Sequence, residues 1–209
     1  MKALDWKRYL DGQVEQHAKR VFTLAELAHI SGRSGAALNV ELTRLRKSKL
    51  LERVARGVYA APGRATLLDV LPWIDDRAYV TGAYALHAQG FITQTPSEII
   101  CFTDRRHFRS VRVTSVGRLR FAVIKPPVYA PPKKGCLASP EQALCDLGWM
   151  ADRAGTDLRS LYTFRKLDRL RRDLGPRRLG CCSLAVGAIL RALLKNDGVN
   201  LPVSRNDAA

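Results

Sequence analysis

The chain has 209 residues, 46% of them hydrophobic, and its 35 lysines and arginines outweigh 19 acidic residues to leave a formal charge of +16. That hydrophobic share is enough for a buried core, and no apolar run is long enough to span a bilayer, since Arg191 interrupts the longest candidate at 183–194. So large a cationic excess draws a soluble protein to polyanions, and it is spread along the chain: +6 over residues 1–63 and +10 over 64–209. The opening MKALDWKRYLDGQ lacks the apolar core of a secretion signal. Five cysteines (Cys101, Cys136, Cys145, Cys181, Cys182) show no C-x-x-C spacing. An odd set without a framework suggests reduced thiols and a cytoplasmic location.

In chain order, residues 3–20 read as a first helix that Gly12 could break, with Leu4, Tyr9, Leu10 and Val14 covering a core. Thr23 and Glu26 then fit a capping box, the hydroxyl accepting from a free backbone N–H and the carboxylate reaching back. Leu24, Leu27, Ala28 and Ile30 give that short helix one apolar face. Ser31-Gly32-Arg33-Ser34 is a tight turn, and Ser34 is placed to cap a second helix. In it Leu38, Leu42 and Leu45 recur at i, i+4 and i+7, one buried stripe. At about 100° per residue the opposite face carries Ala36, Val40, Thr43, Arg44 and Lys47, with Asn39 and Arg46 on its flanks. Leu50, Leu51 and Val54, then Val58, Tyr59 and Ala60, read as two strands joined at Ala55-Arg56-Gly57. Arg53 and Arg56 sit where such a hairpin would meet phosphates. Pro62-Gly63 ends the unit.

Two helices across a tight turn, followed by a basic hairpin, read as a winged helix-turn-helix. Such a unit places its second helix in a DNA major groove. The outer face has the side chains for it. Arginine can bond a guanine edge bidentately, asparagine an adenine edge, and Ala, Val and the Thr methyl can pack on a thymine methyl. The candidate DNA-binding residues are therefore Arg33, Ser34, Ala36, Asn39, Val40, Thr43, Arg44, Lys47, Arg53 and Arg56. The plainer alternative is a solvated helix and a surface hairpin with ordinary charges.

The remainder reads as mixed. A short connecting helix covers Thr66–Leu71, a brief strand Ala78–Val80, and a helix Thr81–Gln89 closed by Gly90. Three strands follow at Ser97–Thr103, Ser110–Ser115 and Leu119–Lys125, the last two joined at Val116-Gly117. After a Pro-rich crossing, Ser139-Pro140-Glu141-Gln142 opens a helix to about Asp152, with Ser as N-cap and Gln in the capping-box position. Further helices are expected at Thr156–Leu174 and Ser183–Lys195, then a frayed tail from Asn196. The expected fold is α+β: a winged helix-turn-helix domain over 1–63 and, over 64–209, a mixed α+β domain with a small sheet and C-terminal helices.

From Arg105 to Pro140 there is no acidic residue. Arg105, Arg106, Arg109, Arg112, Arg118 and Arg120 fall within it, and Arg112, Arg118 and Arg120 alternate with apolar partners as on a half-buried sheet. Such a basic face could extend a DNA footprint or hold RNA. The alternative is a sheet edge protected by charge.

An enzyme fares poorly. Metal-dependent cleavage needs clustered carboxylates, yet Glu98 stands alone, Asp104 reads as a turn acid beside Arg105-Arg106, and Asp75-Asp76 as a linker pair. His17, His29, His87 and His107 are scattered, and no Gly-rich phosphate loop is present. No catalytic residue, metal or cofactor is expected.

Three ordered phrases carry a resemblance. Gly57-Val58-Tyr59 with Pro62, then Thr81-Gly82 with Ala85-Leu86 and Gly90, then Pro140-Glu141-Gln142-Ala143-Leu144 with Asp146, together resemble the AbiEi family of antitoxins from type IV toxin–antitoxin systems. The likeness covers roughly residues 20 to 152, and Thr81 stands where the family usually has Ser, keeping a cap hydroxyl. The resemblance implies a protein that binds repeats in its own promoter, represses its operon, and counters a toxin resembling nucleotidyltransferases without needing to touch it. Without the resemblance, a winged-helix transcription factor with a ligand-sensing C-terminal domain fits the same residues.

Overall fold

The computed structural model describes residues 2–106, 109–126, 128–156 and 161–162. The helices expected from residue 156 onward, the tail and the Cys181-Cys182 pair lie outside them, apart from residues 156 and 161–162. Among the described residues the fold is α+β, with six helices and two small sheets. Two compact units share the chain: residues 1–76 with 113–118, and residues 77–112 with 119–209.

In the first unit, α1 (Ala3–His17) runs unbroken through Gly12. It buries Trp6 and Leu10, not the expected Leu4, which is exposed. Leu4 lies two residues, or about 200°, from Trp6 around the helix, so burying the indole turns Leu4 outward. A short strand, β1 (Val21–Thr23), was not legible, because the strand it pairs with lies more than thirty residues further on. Thr23 then caps α2 (Leu24–Ser31) as expected: its Oγ1 accepts from the Glu26 amide at 3.2 Å, and Glu26 Oε2 accepts from the Thr23 amide at 2.8 Å. Gly32 closes α2 with φ +64°, a left-handed turn that glycine adopts without a Cβ clash.

The next helix, α3 (Gly35–Lys47), buries Leu38, Leu42 and Leu45 as the spacing requires, and buries Glu41 as well. Ser34 occupies the N-cap with extended backbone but makes no side-chain cap bond. Gly35 beside it takes φ +55°, so the chain departs from helical geometry where a capped turn would begin. The hairpin β2 (Glu52–Ala55) and β3 (Val58–Ala60) follows, with Leu50 and Leu51 ahead of the first strand rather than in it. The sheet order is β1-β3-β2, all antiparallel, and the β2–β3 pairing slips at Val54, a bulge. Its core joins Trp6, Leu10, Phe22, Leu27, Leu42, Leu51 and Tyr59. A second cluster holds Val21, Val54, Val58, Ala60 and Val70, the last from α4 (Leu67–Ile74), with Val116 packed against it.

The second sheet comprises β4 (Tyr79–Val80), β5 (Ile99–Thr103), β6 (Val111–Thr114) and β7 (Gly117–Val123) in the order β4-β5-β7-β6. β5 and β7 are parallel, with Cys101 opposite Phe121. On β7 the alternation is as expected, Leu119 and Phe121 buried between exposed Arg118 and Arg120. On β6 it is not: Val113 is 81% exposed. Helices α5 (Gly82–Ala88) and α6 (Pro140–Ala154) pack together through Ala83, Ala85, Leu86, Ala143, Leu144 and Leu147, over Tyr79 and Phe102.

Candidate nucleic-acid interface

Helix α3 carries the residues singled out for DNA contact. Ala36, Asn39, Val40, Thr43, Arg44 and Lys47 are all exposed, as are Arg46 on the flank and Arg53 and Arg56 on the hairpin. Asn39, Val40, Thr43, Arg44 and Lys47 together line one shallow surface depression. They converge because the leucine stripe at Leu38, Leu42 and Leu45 is committed to the core, which fixes which way the helix faces. Val40 is 52% exposed in the middle of that face. Thr43 donates its hydroxyl hydrogen to the Asn39 carbonyl at 2.8 Å, which commits that donor to the helix backbone.

Two arginines are held in place. Arg53 Nε donates to the Ala55 carbonyl at 3.3 Å, folding that side chain back along its own strand next to the bulge. Arg33 Nε lies 3.2 Å from Glu41 Oε2. Glu41 is 7% exposed, and its other oxygen accepts from the Trp6 indole N–H at 2.7 Å. The sequence held a signal for this pair. A carboxylate at i+3 of the Leu38, Leu42, Leu45 stripe is a charge in a buried column, and such a charge needs partners.

The basic segment of the second half is less uniform than its sequence. Arg105, Arg106, Arg109, Arg118 and Arg120 are exposed and Arg112 is half-buried. Arg118 falls in the first unit and the other five in the second. Glu98, from outside the acid-free stretch, takes Arg120 in a two-bond pair: Nε donates to Oε2 at 2.6 Å and Nη2 to Oε1 at 3.1 Å. The parallel register that sets Ile99 opposite Leu119 brings Glu98 alongside β7. That pairing holds the Arg120 guanidinium above its ordinary pKa. Asp104 takes Arg77 at 2.8 Å.

The two phrases around Thr81 and Asp146 meet in the core instead of at a surface. Asp146 is 1% exposed, and its oxygens accept from Thr81 Oγ1 at 2.6 Å, Tyr79 Oη at 3.1 Å and Gln142 Nε2 at 2.6 Å. Neither the helix-cap role expected of Thr81 nor the return of Gln142 to its own N-cap is present, because both side chains turn to this buried carboxylate. Ser139 does accept from the Gln142 amide at 3.3 Å, as an N-cap should. Burial pushes the Asp146 carboxyl up to about 6, even though the bonds from Thr81, Tyr79 and Gln142 pull the other way. Burial and the neighbouring Asp146 likewise raise the Tyr79 phenol. Among the described residues no group of three or more His, Cys, Asp or Glu is placed to hold a metal ion. No helix among them is long and apolar enough to cross a membrane.

Residues 14–62 match the model of the transcriptional regulators described as AbiEi antitoxins. Among solved structures the chain is similar in fold to the RV2827C protein from Mycobacterium tuberculosis. The TM-score is 0.63 at 16% identity, covering 93% of this chain and 78% of that one. No curated protein matches.

Proposed function

We propose that this protein is a winged-helix repressor of its own operon and the antitoxin of a type IV toxin–antitoxin pair, countering a toxin that resembles nucleotidyltransferases. The observation that carries the DNA-reading half is the exposed face of α3, where Asn39, Val40, Thr43, Arg44 and Lys47 share one depression. At about 1.5 Å per residue α3 is roughly 20 Å long, and a major groove about 12 Å wide admits a helix. Arg44 and Asn39 are the base-edge donors. Val40 and the Thr43 methyl meet thymine methyls, since the Thr43 hydroxyl is engaged by its own helix. Lys47, Arg56 and Ser34 contact the backbone, and Arg53 supports the hairpin that reaches it. The antitoxin half rests on the family match over residues 14–62 and on the ordered phrases around Thr81 and Asp146. Arg105, Arg106, Arg109 and Arg112 supply a basic surface of the second unit for a nucleic acid, DNA or RNA. Double-stranded operator DNA is the direct partner, the toxin is a functional one, and no catalysis is assigned.

The test uses the full chain. A labelled duplex covering the region upstream of its own gene should be bound by the wild type and not by Arg44→Ala/Lys47→Ala, with the circular dichroism spectrum unchanged. Co-expression with the adjacent gene should restore growth for both proteins, because repression and rescue are separate activities. Unchanged duplex affinity in the double variant would move the reading element elsewhere, and loss of rescue would tie antitoxicity to operator binding.

A further inference from the structure

Glu41 is an unusual choice for its position. It shares the buried side of α3 with Leu38, Leu42 and Leu45, where an apolar residue would pack without any desolvation cost. Replacing a buried ion by an apolar group is often neutral or stabilising, so a carboxylate there is poorly explained by stability. Its contacts point elsewhere. One oxygen holds the Trp6 indole of α1 at 2.7 Å, and the other faces Arg33 Nε at 3.2 Å. Trp6 is 1% exposed, so the inner end of this relay is rigid core. The outer end is open: the Arg33 side chain is 47% exposed. The Arg33 backbone is fixed too, its amide donating to Ser31 Oγ at 3.2 Å and to the Ala28 carbonyl at 3.3 Å. Around α3, Glu41 lies about 100° from Val40, at the margin between the buried stripe and the exposed face.

We propose that Glu41 is a positioning residue, which anchors Arg33 by Nε so that the outer edge of the guanidinium meets a backbone phosphate of duplex DNA beside the first turn of α3. The proposal rests on the DNA-reading function argued above. A guanidinium is a planar fork: with Nε ion-paired to the carboxylate at 3.2 Å, its terminal nitrogens keep the geometry that grips phosphate oxygens. An unanchored arginine loses rotamer freedom on binding, and here the folded protein has already removed part of that freedom. Arg33 thus sets the register of α3 on the duplex and reads no base. The Glu41 charge stays on the inner side, shielded from the phosphate by the guanidinium it holds.

The experiment is a double-variant cycle on the upstream-region duplex, with affinity measured across a salt series. Arg33→Ala should weaken binding about tenfold and lower the slope of log K against log salt by about one, as removing one phosphate-bound cation requires. Glu41→Gln can still accept from Trp6 but cannot pair with Arg33. It should weaken binding about three- to tenfold with the slope retained, and the double variant should bind no worse than Arg33→Ala alone. Arg33→Lys, at an exposed position, keeps the charge without the fork. It should weaken binding several-fold at an unchanged slope, and it decides the matter if Glu41→Gln does not fold. Wild-type affinity and slope in Arg33→Ala, wild-type affinity in Arg33→Lys, or full additivity of the Glu41→Gln and Arg33→Ala losses would each overturn the proposal. If the wild type binds and Arg44→Ala/Lys47→Ala does not, such a result sinks this inference and leaves the DNA-reading function standing. A wild type that ignores the duplex sinks both.

Discussion

Thr81 donates its hydroxyl to Asp146 across 2.6 Å, and both side chains are buried, Thr81 at 0% and Asp146 at 1% exposure. The bond joins the start of α5 to α6, with Tyr79 and Gln142 on the same carboxylate. Two of the three phrases that carry the AbiEi resemblance therefore meet at one buried acid, which gives their residues a packing role in the core.

That acid makes stability depend on pH. Its carboxyl titrates near 6 in the folded chain, at about 6 against an ordinary value of 3.8. Between those values the folded protein holds a proton that the unfolded chain has released, so this group adds stability as pH falls from about 6 toward 4. The full difference is on the order of 3 kcal/mol. Above 6 both states are ionised and the contribution is flat. Asp146→Asn keeps an acceptor for Thr81 and abolishes the titration. Urea unfolding of both proteins should show the wild type gaining on the variant by about 2 kcal/mol between pH 7 and pH 4.5. A constant difference would mean that the ionised carboxylate is fully accommodated. Glu26 and Asp69 act in the opposite sense. Burial raises both carboxyls, but Lys19 with Thr23, and Thr66 with Arg20, outweigh it and hold them low. Their contribution is common to both proteins and cancels.

Gly82 separates backbone strain from crowding. It has φ +64°, and an added Cβ would lie 2.9 Å from the Met150 Cε. That methyl ends a flexible side chain and can move aside, whereas the left-handed backbone cannot relax without unseating α5. Gly82→Ala should cost about 1–2 kcal/mol, and Met150→Ala in the same chain should not recover it. Recovery in the thermal or urea midpoint would assign the cost to the contact.

Leu42 and Val40 lie on opposite sides of α3 and should respond oppositely. Leu42 is 2% exposed in the first core, and Leu42→Ala should lose about 2–5 kcal/mol of unfolding free energy. Val40 is 52% exposed, so Val40→Ala should stay within about 0.5 kcal/mol of wild type. Its operator affinity should nonetheless fall several-fold in a gel shift, most at thymine-containing steps. An unaltered gel shift would remove Val40 from the reading face.

The arginines of the second half should divide by partner. Arg120 is half-exposed and already paired with Glu98, so Arg120→Ala should cost at most about 1 kcal/mol and barely change binding to a mixed-sequence duplex. Arg106→Gln/Arg109→Gln should lower the salt slope on that duplex by about one to two, roughly one for each phosphate that is no longer neutralised. Equal effects from both substitutions would mean that the Glu98 pair opens when nucleic acid binds.

Much of the first unit was readable because its signals are local. The Thr23–Glu26 capping box, the Gly32 turn and the Leu38, Leu42, Leu45 stripe each lie within one or two helical turns, and together they expose Arg44 and Lys47. Ser34 failed as a side-chain cap because Gly35 next to it is left-handed, a backbone choice that residue type permits without requiring. β1 was missed because its partner β3 lies more than thirty residues on.

Residue type and spacing by themselves determined the cationic character, the two-helix unit and its outward face, since charge and helical period are properties of the chain in one dimension. Only the tertiary structure decided that Glu41 turns inward to Trp6 and Arg33, that Glu98 reaches Arg120 across a parallel register, and that Thr81 and Gln142 abandon their own helix ends for Asp146. Each of these networks joins polar groups from separate parts of the chain. A buried or bidentate polar group takes whichever partner the packing brings within about 3 Å, and that choice depends on the fold as a whole.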